Sequence, residues 1–381
     1  MLERAFRGSR RYWTFLLFLL ILSLIGLLFY LRQLDRGLGI TGMGRDISWG
    51  LYIANFTFLV GVAASAVMVV LPYYIHRVEV FGGIKVFAEF LAASSILMCL
   101  LFVLVDLGQP KRLFNMLLYP SFSSVLFWDV VVLSGYFVIN MLSGWFTLDY
   151  EEKEEGPPSW LKALLYISIP WAISIHTVTA FIYLGLSGRP FWHTSLLAPR
   201  FLASAFSSGP SLLIVLLLSM KRFSGFSPKT EAIEKLSLIV AYAIVVNAFF
   251  LFVEIFTVLY GDVPEDLMHL RYFYLGGPGS RFFCVSWISS LLAILSLIIF
   301  LIPSLRRRTN TLFIGALSAF FSIWLEKGIG LLVPGFVPTP VGRYATYFPT
   351  LPEIMITVGI YALGALFTSL LFKVALRNEP A

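Results

Sequence analysis

The sequence predicts an all-α integral membrane protein with about ten transmembrane helices, one polytopic membrane domain over residues 1–381 and no soluble enzyme domain. Three observations predict it. Hydrophobic residues make up 59% of the chain and charged residues 13%, where a soluble domain carries roughly 25% charged, so there is too little charge to cover a water-facing surface. The mean hydropathy is +0.86. Apolar runs near the roughly 20 residues needed to cross a bilayer recur along the whole chain, and backbone in hydrocarbon must satisfy its own hydrogen bonds, which favours helices.

The first run, 12–31, follows Arg4, Arg7, Arg10 and Arg11. A secretory signal peptide is the rival explanation. The run is long for one and ends in LRQLDRG with no small-residue cleavage site, so a retained helix is expected. Further spans are expected at 49–75, 84–106, 123–148, 161–186, 200–220, 232–260, 281–303, 309–332 and 351–376. With the N-terminus cytoplasmic, 17 of the 28 basic residues fall on the cytoplasmic side, from Arg4 to Arg377 and including the pairs and triplets at 10–11, 221–222 and 306–308. That bias puts both termini on the cytoplasmic side, and a prokaryotic cytoplasmic membrane is the expected location. The outer loops are longer and rich in Gly, Pro and aromatics: SGRPFWHTSLLAPR, GDVPEDLMHLRYFYLGGPGSR and VPGFVPTPVGRYATYFPTLPE. Such loops suit docking surfaces. The acidic stretch DYEEKEEGPP is expected as a solvated inner loop without function, and breakers are expected in loops rather than in spans.

Several classes are set aside. The net charge of +7 sits in short loops, not on a face or tail, so nucleic acid is not expected as a partner. Cys99 and Cys284 fall in apolar stretches without a C-x-x-C pair, which gives no support to iron–sulfur, zinc or disulfides; buried free thiols are expected at both. A membrane b-haem needs two facing histidines, and of His76, His176, His193 and His269 only His176 is well inside a span. No haem, iron–sulfur cluster or metal is expected in this chain.

Ionisable groups inside a span cost roughly 2.5–3.5 kcal/mol on insertion scales, so each needs a reason. The candidates are Glu89, Asp106, Asp129, His176, Glu254, Glu326 and Lys327, with Asn55, Asn140 and Asn247 as neutral partners. Except for Glu89 they lie toward the outer ends, which suggests a polar pocket opening outward. A quinone head fits such a pocket, since a His and a carboxylate can serve its two carbonyls. Asp129 and His176, on neighbouring spans, are expected to face each other. Glu326 and Lys327 are adjacent and do not share a helix face; interfacial anchoring is expected of them.

Four stretches then resemble one family. WGLYIANFTFLVGVAASA (49–66), DLGQPKRLFN (106–115), SIHTVTAFIYLGLSGRPFWHTSLLAPRFLASAFSSGP (174–210) and EKGIGLLVPGFVPTPVGRYATYFPTLPE (326–353) are similar to the NrfD/PsrC membrane subunits of polysulfide-reductase-type complexes. The last two look like the ten-helix branch of DsrP, HmcC and the Hdr-like menaquinol oxidoreductase integral membrane subunit. Gln109 departs from the family by standing where many members have Arg.

The resemblance implies two four-helix bundles, 49–186 and 200–332, with a leading helix 12–31 and a trailing helix 351–376. It implies a quinone-interacting subunit in anaerobic respiration or sulfur metabolism, in which menaquinol is oxidised in the first bundle near the outer face. It implies a ferredoxin-like iron–sulfur partner on that face, and further a c-type cytochrome or heterodisulfide-reductase-like subunits. The expected catalytic residues are His176 and Asp129; Asn55, Asp106 and Arg112 complete the quinone site; Glu89 and Glu254 are expected on proton paths. The alternatives are a secondary transporter and a purely structural anchor.

Overall fold

The computed structural model describes residues 2–276, 282–339, 341–344 and 346–376. Arg377 and the 277–281 part of the loop before the eighth span lie outside them. Among the described residues, ten helices are long and apolar enough to cross a membrane: α1 Arg10–Arg36, α2 Leu51–Tyr74, α3 Glu79–Asp106, α4 Val125–Glu152, α5 Ser159–Leu184, α6 Leu197–Phe223, α7 Thr230–Gly261, α8 Phe283–Leu301, α9 Thr309–Phe336 and α10 Leu351–Ala375. Each overlaps one expected span, and no strand occurs among the described residues.

Helix α2 is the hub. It packs on α3, α6 and the C-terminal part of α9, and 94% of its most apolar window is buried. Around it α3, α4 and α5 pack in chain order, and α6 contacts α7 and α9, which in turn hold α8. Helix α1 is peripheral: only 17% of its window is buried, and its main partner is α10. Glycine permits that contact, since a Cβ on Gly26 would lie 2.6 Å from Gly359 Cα. Between helices that share one apolar solvent, such close small-residue packing replaces the hydrophobic drive. Gly209 of α6 is equally tight, with a Cβ falling 2.6 Å from Ser65 N of α2.

Two helices are locally rewound where they meet the centre. In α2 a 3-10 turn spans Ala63–Ser65, and in α9 a π turn spans Trp324–Ile329. Pro72, Pro170 and Pro210 stand inside α2, α5 and α6. The breakers are thus not confined to loops, because neighbouring helices and Ser/Thr hydroxyls can occupy the backbone groups that a proline frees.

The end carrying the termini is tied by ion pairs. Arg4 pairs with Glu152, and Lys85 Nζ lies 2.8 Å from Glu151 Oε1 and 4.4 Å from the Tyr73 ring centroid. The acidic stretch is therefore not merely a solvated loop, since its first residues continue α4 and clamp α3 and the N-terminal segment. The opposite, loop-rich end is a packed aromatic layer of Trp49, Tyr183, Trp192 and Phe336. Cys99 is buried, but Cys284 is exposed on the outside of α8. That corrects the expectation of two buried thiols: an apolar neighbourhood in sequence cannot distinguish a lipid-facing position from a core one.

Candidate functional site

Helices α4 and α5 pack side by side, which brings the two expected catalytic residues onto one interface. Asp129 lies just over one turn into α4 and is 4% exposed. Its Oδ1 accepts a hydrogen bond from Thr179 Oγ1 at 2.7 Å. Thr179 is one turn beyond His176 on α5, so the carboxylate and the imidazole occupy adjacent levels of one seam. They do not hydrogen-bond to each other; the threonine hydroxyl takes the carboxylate instead. His176 is 1% exposed, and among the described residues neither Nδ1 nor Nε2 has a partner. Buried polar groups are almost always satisfied, and two unpartnered nitrogens on one ring set His176 apart from the other buried polar side chains of this seam.

The remaining expected quinone-site residues separate. Asn55 is fully buried, with its oxygen fully used and one of its two amide hydrogens engaged: Nδ2 donates to Leu51 O at 2.8 Å, while Oδ1 accepts from Trp324 Nε1 at 2.9 Å and from Tyr361 OH at 2.8 Å. It bolts α2 to α9 and α10, and it has little capacity left for a ligand. Asp106 closes α3 with an Oδ1 that has no partner among the described residues. Beside it runs a chain in which Tyr52 OH donates to Gln33 Oε1 at 2.7 Å and Gln33 Nε2 donates to Val105 O at 2.7 Å. Arg112 is exposed on the short helix Pro110–Phe114.

Toward the termini, Glu89 is 2% exposed and its Oε2 has no partner among the described residues. The buried face of α4 carries Thr147, Ser143, Asn140 and Tyr136 from that level back toward Asp129. The Tyr136 hydroxyl and Thr147 Oγ1 are likewise unpartnered there.

A second polar centre lies between α6, α7 and α9. Arg200 is 7% exposed. It pairs with Glu254 and donates from Nη2 to Glu326 Oε1 at 2.9 Å. Asn247 Nδ2 donates to both Glu326 oxygens at 3.1 and 3.0 Å. Lys327 is 5% exposed, donates to Phe201 O at 3.1 Å and stands 4.4 Å from the Phe201 ring centroid. A Cβ on Gly61 of α2 would come 3.3 Å from its Nζ. Glu326 and Lys327 thus face the protein interior and are not interfacial anchors. The π turn lets adjacent residues both reach α6, a geometry that regular helical spacing does not predict.

Arg200 and Glu353 escape the sequence reading, Arg200 because it stands at a span boundary and Glu353 because it opens a helix. For Arg200 a signal is present: two carboxylates at similar depth on other spans favour a buried cation between them. Glu353, 0% exposed, accepts from Gly42 N at 2.7 Å, Tyr347 OH at 2.8 Å and Thr350 N at 2.8 Å. Burial and the neighbouring Glu353 carboxylate push the Tyr347 phenol above its usual range.

A family model described as polysulphide reductase, NrfD matches residues 39–338. A protein of Halobacterium salinarum, provisionally named as a membrane subunit of dimethyl sulfoxide reductase, is 28% identical, over 91% of this chain and 87% of its own length. The Hdr-like menaquinol oxidoreductase integral membrane subunit of Archaeoglobus fulgidus is 25% identical, over 92% and 90%. A selenate reductase subunit of Mesobacillus selenatarsenatis is 25% identical, over 86% and 83%.

Proposed function

This chain belongs to the NrfD polysulphide reductase family, and on that basis we propose that it is the quinol-oxidising membrane subunit of a multisubunit respiratory redox complex, with its site on the α4–α5 seam. The observation that carries this reading is His176: a deeply buried imidazole whose two nitrogens have no partner among the described residues, one turn from the Thr179–Asp129 pair. Neutral imidazole offers one acceptor and one donor, which suits a hydroxyl-bearing ring entering from the membrane. The names of the relatives supply the chemistry, one of them being a menaquinol oxidoreductase subunit.

In this reading menaquinol loses two electrons and two protons and leaves as menaquinone. His176 takes one proton on a ring nitrogen. Asp129, its Oδ1 oriented by Thr179, receives the other or holds the second hydroxyl. The electrons leave through an iron–sulfur subunit docked on the loop-rich, outer face. Exposed Phe114, Leu118, Tyr119 and Phe122 beside Lys111 and Arg112 offer an apolar and basic surface there for such a partner. Asp106, whose Oδ1 has no partner among the described residues, stands at the mouth. Asn55 is reassigned from ligand contact to holding α2, α9 and α10 together around the site.

Both termini lie on the cytoplasmic side in this orientation, and the residues from Glu89 along the inner face of α4 to Tyr136 form the proton route toward them. Replacing Glu89 with Gln is expected to slow proton release to the cytoplasmic side during quinol oxidation; release at the native rate would remove that route. The decisive experiment is quinone extraction from the detergent-purified complex, native and His176→Ala. One bound quinone in the native complex, lost together with quinol oxidation in the variant, is the expected result. Quinone and activity both retained in His176→Ala would remove the site from this seam.

A further inference from the structure

A cavity of about 170 Å³ lies between α7, α8 and α9, away from the α4–α5 seam. Engineered apolar cavities of similar size hold a benzene ring. Its lining includes Ala248, Ser290 and Ile294, all exposed on the lipid-facing surface of the helices, so its mouth opens sideways toward hydrocarbon. Its floor is polar, formed by the buried residues Asn247, Ser286, Ser289 and Ser322 and by the half-buried Glu326.

The hydrogen-bond directions on that floor are one-sided. Ser286 Oγ donates to Phe283 O at 2.8 Å, Ser289 Oγ to Ser322 O at 2.9 Å, Ser322 Oγ to Ser289 O at 2.8 Å, and Ser290 Oγ to Ser286 O at 2.9 Å. The hydroxyl protons are therefore committed to backbone, and oxygen lone pairs remain. Glu326, gripped by Arg200, holds the Asn247 amide N–H group and so fixes which way that amide faces. Asn247 is 3% exposed, and its Oδ1 has no partner among the described residues. Tyr274, which is half-buried and also lines the cavity, is the lining group whose phenol can either give or accept. A ligand for this floor must be lipophilic, uncharged and a hydrogen-bond donor. An anionic lipid headgroup would meet the Glu326 carboxylate, and a carbonyl-only head would leave Asn247 Oδ1 empty.

We propose that this cavity is a second, lateral binding site that takes the reduced, hydroxyl-bearing form of a membrane quinone in preference to the oxidised form. It rests on the reading of the chain as a quinol-handling subunit and is distinct from the α4–α5 site. One quinol hydroxyl donates to Asn247 Oδ1, with Tyr274 able to donate to the ring's other oxygen. The site loads quinol from the bilayer; no electron transfer is assigned to it.

The test is equilibrium binding of radiolabelled menadiol, kept reduced with dithionite, and of radiolabelled menadione, to the purified and quinone-stripped complex. Menadiol is expected to saturate at two equivalents and menadione at one. Ala293→Phe, which fills the cavity, should leave one menadiol equivalent. Ser290→Trp, on the exposed mouth where folding is least at risk, should do the same. His176→Ala should remove the other equivalent. Native saturation at one menadiol that both cavity variants retain and His176→Ala abolishes would overturn the second site and leave the first. One equivalent lost in the cavity variants but retained in His176→Ala would overturn the first and leave the second. Equal affinity of the cavity for menadiol and menadione would overturn the preference for the reduced form, and no saturable binding of either would overturn both sites.

Discussion

Two buried polar centres occupy opposite halves of this molecule, and they solve the cost of burial in opposite ways. Between α6, α7 and α9, Arg200 bridges Glu254 and Glu326, Asn247 caps Glu326, and Lys327 reaches a backbone carbonyl. Between α4 and α5, Asp129 has one hydroxyl partner and His176 has none among the described residues. The first centre is held together by its own contacts, so disruption should appear as instability. The second contributes little to the packing by its own contacts among the described residues, so disruption should appear as lost chemistry.

The largest effect is expected from Arg200→Leu. Removing one member of a buried ionic group costs about 3–5 kcal/mol, because the partners remain buried and uncompensated. Here two carboxylates are stranded, so folded protein recovered from membranes should fall sharply. Arg200→Lys should be intermediate, since an ammonium lacks the fork that holds two carboxylates at once. A native melting temperature for Arg200→Leu would show that the network holds nothing.

His176→Phe sharpens the other side of the comparison. It keeps an aromatic ring and forfeits no hydrogen bond in the described structure, so thermal stability should change little. Quinol oxidation should fall by roughly 10²–10⁴, the usual loss for a general acid–base group. Equal losses of stability and activity would assign His176 a packing role instead.

A pH effect is expected at the loop-rich end. His269 is 4% exposed on the short helix Pro264–Leu270, its ring 4.6 Å from that of Phe191, and its Nδ1 has no partner among the described residues. Burial lowers its pKa from 6.5 to about 4. A depressed base stays neutral when folded while the unfolded segment takes up a proton, so stability is intact above pH 6.5 and falls as pH drops toward 4. At about 1.4 kcal/mol per unit, the full loss is on the order of 3 kcal/mol. Hydrogen exchange of this segment at pH 7 and pH 4.5 should show the loosening, and His269→Gln should flatten it.

The smallest effect belongs to Thr179→Val. It removes one buried hydroxyl bond, about 1 kcal/mol, while leaving Asp129 with one contact fewer. A small drop in melting temperature with a larger drop in quinol oxidation would support Thr179 as the group that orients the carboxylate. A drop in melting temperature alone would make that bond purely structural.

Much of this was legible in the chain. The ten spans follow from runs of apolar residues, since a bilayer admits little else, and the expected boundaries agree within a few residues over most of their length. At the first span the helix continues through the polar turn to Arg36, because helix propensity carries on past the hydrocarbon edge. Residues of chemical interest were also legible, since charge at membrane depth is rare enough to stand out. Which of them act together was not. Asn55 and Glu254 look alike as isolated polar residues in apolar runs, yet one is saturated by Trp324 and Tyr361 and the other by Arg200.

Membrane class, number of spans and family could all be read from the residues in order, because they depend on composition and on local pattern along one chain. Folding in three dimensions was needed to leave His176 without a partner among the described residues while Glu326 has several, and to open a cavity with a polar floor between α7, α8 and α9. Partners come from helices far apart in sequence, and the local rewinding at Ala63–Ser65 and Trp324–Ile329 turns side chains away from the faces that regular periodicity assigns them. Whether a buried polar atom is satisfied depends on three-dimensional packing, which residue spacing along a single helix does not encode.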